Sequence, residues 1–262
     1  MMQKSKKPNI ILWDLETMPD MDRVMEVLTS YGNWPGRGFN GVTSSIICFG
    51  YKRLEDKKAS CINAWDYKGW KNNVNDDKQL CIAAYNILKD ADEIVTHNGK
   101  SFDVRILNTR LMYHGLPPLP KIMHTDTKVV AGKLSFYSKR LGDVSKFFKG
   151  KGKLENGGWD LWCKTRKRDK KAMKLMDAYC KQDVMALQEV YTALLPVMST
   201  GKMDHNVFHN GEKVVCPNCG SPKMVGNGTR TTKKEIRKRY RCTNCNTGIT
   251  LNKKNVASVV GV

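Results

Sequence analysis

No stretch of this sequence approaches the roughly 20 consecutive apolar residues needed to cross a bilayer. The apolar run at 10–13, after a lysine-rich start, is too short for the core of a signal peptide. The expectation is a cytoplasmic protein, or one working in whichever compartment holds its substrate. Acidic residues are scarce: 25 Asp and Glu stand against 45 Lys and Arg, a formal charge of +20. So large an excess repels itself unless a polyanion is near, which favours a nucleic-acid partner over an acidic protein. Evenly spread cysteines are missing as well. Cys48, Cys61, Cys81, Cys163 and Cys180 stand singly, whereas Cys216, Cys219, Cys242 and Cys245 form two tight pairs. An odd total with two CxxC pairs speaks against a disulfide framework and for reduced thiols plus one metal site. Beyond those pairs there is no internal repeat.

What is present fits 262 residues arranged as one domain of ordinary size and a small appendage. Residues 1–198 read as the main domain, 199–212 as a linker rich in Gly, Asn, His and Asp, and 213–262 as a basic module. Within the main domain, apolar runs and alternation predict strands at 9–15, 45–52, 60–65, 93–96 and 121–128. Helical spacing predicts helices over 20–29, 77–89, 102–114, 141–148 and 172–197, with Asp76 or Asp77 capping the second. Strands first, then alternating helices and strands, argue for an α/β fold with a mixed sheet covered by helices.

Asp14 and Glu16 end the first strand. Residues i and i+2 share a strand face, so both carboxylates project together and repel unless a cation lies between them. A solvated strand end is the alternative. Asp103 closes the segment 97–103, where a strand ends, a glycine lets the backbone turn and a helix starts. It is either a ligand or a helix-start acid stabilised by the helix dipole. Tyr179 and Asp183 lie four apart on a helix, hence on one face. Tyr179 alone would read as a packed aromatic. Four carboxylates are what two Mg²⁺ or Mn²⁺ ions require, since hard cations take oxygen ligands and leave room for water and phosphate.

These motifs, in this order, resemble the DnaQ-like (DEDD) 3′–5′ exonuclease superfamily over residues 10–197. The first motif matches Asp14 and Glu16, the second Asn98 through Asp103, and the third Tyr179 and Asp183; the tyrosine points to that family's tyrosine subgroup. The resemblance implies a ribonuclease-H-like mixed five-stranded sheet flanked by helices. It also implies two Mg²⁺ or Mn²⁺ held by Asp14, Glu16, Asp103 and Asp183, with Tyr179 positioning water and Asn98 near substrate. The partner would be single-stranded nucleic acid with a free 3′ end, DNA slightly favoured over RNA, and the product a nucleoside 5′-monophosphate. Asp126 is read as structural. No polymerase-like domain is evident, so proofreading would involve a separate replication or repair protein partner, and a standalone enzyme of DNA repair, recombination or RNA trimming is equally open. Two rival readings stay open: a non-catalytic nucleic-acid-binding adaptor on the same scaffold, and a structure-selective endonuclease.

The basic stretch 164–174, with Lys164, Arg166, Lys167 and Arg168, is expected either to contact phosphates or to be a solvated loop. At the C-terminus, Cys216-Pro-Asn-Cys219 and Cys242-Thr-Asn-Cys245 lie 22 residues apart and fit a closed, tetrahedral, structural Zn²⁺ site. The module resembles a zinc ribbon. Residues 213–262 carry 11 Lys and Arg and one acid, half of the whole excess. Arg237, Lys238, Arg239, Tyr240 and Arg241 are its candidate nucleic-acid grip, with docking to a protein as the alternative.

Overall fold

The computed structural model describes residues 7–19, 44–155, 157–198, 204–209, 214–232 and 235–250. The helix expected at 20–29 and the end of the ribbon after Thr250 lie outside these residues. Strands β1 (Ile10–Pro19), β2 (Ser44–Arg53) and β3 (Ser60–Asn63) come first. Helices α1 (Lys68–Asn72) and α2 (Lys78–Leu88) lead to β4 (Glu93–Thr96), α3 (Asp103–Tyr113) and β5 (Met123–Asp126). Then follow α4 (Thr127–Ala131), α5 (Leu141–Phe147), α6 (Trp159–Arg166) and the long α7 (Lys170–Leu194). The five strands form one mixed sheet in the order β3-β2-β1-β4-β5, antiparallel across β3-β2-β1 and parallel across β1-β4-β5.

The period of two along β1 divides the core. Ile11, Trp13 and Leu15 pack with Leu80, Ala84 and Leu88 of α2 and Leu107 and Leu111 of α3. Ile10 and Leu12 face the other way and pack with Val184, Leu187, Val190, Tyr191 and Leu194 of α7. Each such apolar side chain contributes about 1.5–3 kcal/mol on burial. Asp14 and Glu16 continue the α7-facing side of the strand, so the pattern that builds the core also aims both acids at the helix carrying Asp183.

Helix α7 starts at Asp169, whose carboxylate accepts the Ala172 N–H at 2.8 Å. It lies close against β2 at Gly50, the residue paired with Asp14. A Cβ there would sit 2.8 Å from Cys180 Sγ and 2.9 Å from the Cys180 carbonyl oxygen. Glycine therefore lets the helix come near enough for Asp183 to reach the strand acids.

Besides the short helices α1 and α4, which sequence periodicity does not announce, and the third strand, which ends at Asn63 instead of 65, the structure differs from sequence expectation as follows. Strand β1 runs on to Pro19, because β2 pairs with it through a register shift after Glu16. Residues 159–166 form α6, although only Leu161 and Thr165 of it are buried and so short a helix leaves little periodicity to read. Of the two candidate caps of α2, Asp76 accepts the Lys78 N–H at 3.0 Å, whereas Asp77, at the N-cap position, makes no side-chain cap bond. Its carboxylate instead takes Arg110 at 2.7 and 2.8 Å, His114 Nε2 at 2.6 Å and the Ile46 N–H at 2.7 Å.

The C-terminal module is a second sheet, β6 (Met224–Thr231), β7 (Ile236–Cys242) and β8 (Gly248–Thr250), in that order. It docks on the end of α7: Asn218 Nδ2 donates to the carbonyls of Leu195 at 2.6 Å and Met198 at 3.2 Å. The Leu195 carbonyl also accepts the Met198 N–H at 3.3 Å, so Asn218 ties the ribbon to a turn that is already hydrogen-bonded. Residues 205–209 form a short 3-10 turn in which Asn206 exchanges hydrogen bonds with Val215. No helix among the described residues is long and apolar enough to cross a membrane.

Candidate active site and metal centre

Asp14, Glu16 and Asp183 converge so that one carboxylate oxygen from each lies within 4.8 Å of the others. Asp103, the first residue of α3, is buried beside them, and its Oδ1 accepts the Leu15 N–H at 3.2 Å. Burial holds Asp14 well above the usual carboxylate range, and the charges of Asp103, Asp183 and Glu16 push it the same way. Glu16 is pushed up to about 8, first by burial and then by Asp183. Asp103 rises to about 7 by burial, opposed by its bond from Leu15. Burial raises Asp183 too, against the pull of Lys153. Packed carboxylates resist ionising together unless positive charge joins them.

Part of that charge comes from Lys153, which no motif in the sequence marks. Its ammonium is hydrogen-bonded to Asp183 Oδ2 and donates to the Tyr179 hydroxyl at 3.0 Å. The loop carrying it is clamped. Glu189 accepts the Ser145 hydroxyl at 2.6 Å and the Lys151 N–H at 3.3 Å, and Gln182 donates to the Gly152 carbonyl at 2.8 Å. Asp183 Oδ1, by contrast, is buried with no hydrogen-bond partner among the described residues. An all-oxygen donor set with one orphaned buried oxygen fits a hard divalent cation.

Cys216, Cys219, Cys242 and Cys245 bring all four sulfurs within 4.8 Å of one another. Cys216 and Cys245 are 3.6 Å apart and Cys219 and Cys242 3.7 Å, too far for disulfides. A tetrahedron with Zn–S bonds of about 2.3 Å has edges of about 3.8 Å, so the spacing fits zinc. Burial pushes the Cys242 thiol up, but the N–H groups of Cys245 and Asn244 together with the Cys219 and Cys245 thiols bring it down to about 7. Asn244 Nδ2 also points at Cys219 Sγ, 3.6 Å away.

The RNase_H superfamily matches residues 36–195 of this chain. The chain belongs to that superfamily. Its fold is accordingly a nuclease fold, and the acid cluster lies within the matched span apart from the β1 pair. No curated protein matches the sequence. Among solved structures, a family B DNA polymerase from the hyperthermophilic archaeon Pyrobaculum calidifontis superposes with a TM-score of 0.53 at 15% identity. The match covers 75% of this chain and 26% of the polymerase, so the likeness is one of fold over a minor part of that protein.

The other residues singled out in this RNase H superfamily chain fall in different surroundings. Asn98 adopts φ 74°, and its side-chain oxygen accepts Lys128 Nζ at 3.1 Å. Asp126 accepts the N–H groups of Asn98 at 2.8 Å and Lys100 at 3.1 Å and caps α4 through Lys128 N. It holds the turn leading to Asp103, as a structural acid would. Lys164 pairs with Asp160, Arg166 donates to Asn75 Oδ1 at 2.9 Å, and Arg168 donates to the Lys71 carbonyl at 2.8 Å and lies over Trp70. Lys167 is exposed at the end of α6. In the ribbon, Lys238, Arg239 and Arg241 are exposed on β7, Arg237 pairs with Glu235, and Tyr240 is half-buried against the cysteine cluster.

Proposed function

We propose that this protein is a two-metal-dependent 3′–5′ exonuclease acting on single-stranded nucleic acid, with DNA favoured over RNA, and releasing nucleoside 5′-monophosphates. The observation that carries the reading is the convergence of Asp14, Glu16 and Asp183 beside Asp103, with Asp183 Oδ1 buried and orphaned. Asp14, Glu16, Asp103 and Asp183 would hold two Mg²⁺ or Mn²⁺. Bound there, the ions would activate the attacking water and stabilise the leaving oxygen. The chain itself buries the acids and holds their protons, so that a bound cation favours their ionised form and balances the charge that a phosphate brings. Tyr179 holds its hydroxyl at the Lys153 ammonium and orients the attacking water, while Asn98 meets the terminal nucleotide. Lys153 adds a fixed positive charge that favours the ionised acids and attracts a phosphate.

The zinc ribbon is structural in its metal and adds a basic surface that assists substrate binding. Its placement on the end of α7 supports a tethered grip that raises the local concentration of substrate at the acids. A replication or repair protein would be the natural companion of such an enzyme.

The test is a time course of the purified protein with Mg²⁺ or Mn²⁺ on matched single-stranded DNA and RNA labelled at the 5′ end. A ladder shortening from the 3′ end, absent in Asp14→Ala/Asp183→Ala, is the expected result. Binding without cleavage of either strand would replace the enzyme with a non-catalytic adaptor. Internal cuts at junctions only would replace it with a structure-selective endonuclease.

A further inference from the structure

Just before Lys153, which pairs with Asp183, the chain carries a basic segment that neither basic stretch singled out above includes. Between Lys128 and Lys151 the chain carries Lys128, Lys133, Lys139, Arg140, Lys146, Lys149 and Lys151 against one acid, Asp143. Of these, Lys139, Arg140, Lys146, Lys149 and Lys151 are exposed and take part in no ion pair among the described residues. The contrast with 164–168 is chemical. There Lys164 and Arg168 are tied to Asp160 and to the Lys71 carbonyl, so fewer charges are free for phosphate.

The same segment exposes aromatic rings. Phe136, Phe147 and Phe148 meet edge to face with centroids 5.1–5.8 Å apart. Phe136 and Phe148 anchor this group on the core beneath α7, while Phe147 remains 69% exposed and Tyr137 is fully exposed. Large rings left in water among unpaired cations suit a partner that offers both flat apolar faces and negative charge. Two hydrogen bonds join this face to the second motif and the residue before it: Lys128 Nζ to Asn98 Oδ1, and His97 Nε2 to the Lys139 carbonyl at 2.9 Å. At its other end the segment runs directly into Lys153, inside the acid cluster.

We infer that residues 128–151 form the track along which single-stranded nucleic acid lies, its phosphates on Lys139, Arg140 and Lys146 and its bases on Tyr137 and Phe147. A duplex keeps its bases stacked inside and would offer the rings nothing, so the chemistry selects a single strand. That the strand's end then meets the acids rests on the exonuclease reading; the binding itself does not.

The experiment is fluorescence anisotropy of the full chain with a labelled oligothymidylate and a matched duplex, with no divalent ion added to the buffer, across a salt series. Tyr137→Ala and Phe147→Ala should each weaken single-strand binding roughly 5- to 150-fold while leaving the salt slope unchanged. Lys139→Glu/Arg140→Glu should lower the slope of log K against log salt by about 1.4, the change expected when two phosphates of a single strand are no longer neutralised. Lys57→Glu/Lys58→Glu, on the exposed turn between β2 and β3 at the far end of the sheet, should change neither. Wild-type affinity in all the segment's variants, or equal losses on duplex from the ring variants, would overturn the track. Cleavage assays with Mg²⁺ or Mn²⁺ separate the two claims. A wild type that cleaves while the segment's variants bind normally keeps the exonuclease and sinks the track. A wild type that binds through these residues but never cleaves keeps the track and sinks the exonuclease.

Discussion

The ammonium of Lys153 is hydrogen-bonded to one oxygen of Asp183, while the other oxygen of that carboxylate is buried without a partner. The pair joins two elements distant in sequence, the loop before α6 and the middle of α7, at the point where four acids crowd. Lys153 and a cation therefore have different oxygens of Asp183 to use. The lysine is a fixed counter-charge beside the site and would leave Asp183 Oδ1 to a metal.

Removing that charge should move the pH dependence of activity. Lys153 opposes the upward shifts of Asp14, Glu16, Asp103 and Asp183. In Lys153→Met the acids should ionise only at higher pH, so the acidic limb of the pH–rate profile in Mn²⁺ should move upward, by about one pH unit if the loss is worth about 1.4 kcal/mol. An unmoved limb with a uniformly lower rate would make Lys153 a positioning residue for Tyr179 alone.

Stability without divalent ions should fall as pH rises. Glu16 has an ordinary value of 4.5 and stands at about 8 in the folded chain; Asp103 goes from 3.8 to about 7. Over that interval the unfolded chain has released these protons and the folded chain still holds them. The contribution is therefore fully present below about pH 4, is lost progressively up to about 8, and stays lost above it. Mn²⁺ takes the place of the protons, so it should raise Tm more at pH 8.5 than at pH 6. Scanning fluorimetry at both pH values, with and without Mn²⁺, reads this directly, and an equal rise at both would contradict a linked acid cluster.

Why the acids were legible and the lysine was not follows from spacing. Asp14 and Glu16 are set two apart on a strand, Tyr179 and Asp183 four apart on a helix, and each interval alone states which residues share a face. Lys153 reaches the site only because Ser145, Gln182 and Glu189 bend its loop toward α7, contacts made across 7 to 44 positions that no local pattern announces. The same holds for Asp77, whose place before a helix reads as a cap while its carboxylate serves Arg110 and His114 instead. Arg166 and Arg168 read as a free basic patch for the same reason: their partners, Asn75 and the Lys71 carbonyl, lie nearly a hundred residues away.

The Asp77–Arg110 pair makes a prediction about stability that leaves the acid site alone. The Asp77 side chain is fully buried, and Arg110 supplies two of its hydrogen bonds across α2 and α3. Arg110→Met strands the carboxylate with His114 and the Ile46 N–H, and removing one partner of a buried pair costs about 3–5 kcal/mol. Asp77→Asn/Arg110→Met should recover part of that loss, since the amide carries no charge to strand. Urea unfolding gives the two values; a single variant as stable as wild type would mean that His114 alone suffices.

Zinc removal should act on the far end of α7 before it acts on the acids. Metal analysis is expected to give one zinc per chain, abolished by Cys219→Ser/Cys245→Ser, because the module is too small to fold on its own apolar core. Loss of the metal-held Cys216–Cys219 turn frees Asn218 from the Leu195 and Met198 carbonyls. Hydrogen exchange should therefore rise in residues 190–198 and in β6–β8, while β1, β4 and the middle of α7 keep their protection. Because Asp183 stands three helical turns from Leu194, cleavage at saturating substrate should persist, and binding at low substrate should weaken as the basic hairpin is lost. Exchange that rises equally across the whole main domain would instead show the ribbon and the nuclease fold unfolding as one cooperative unit.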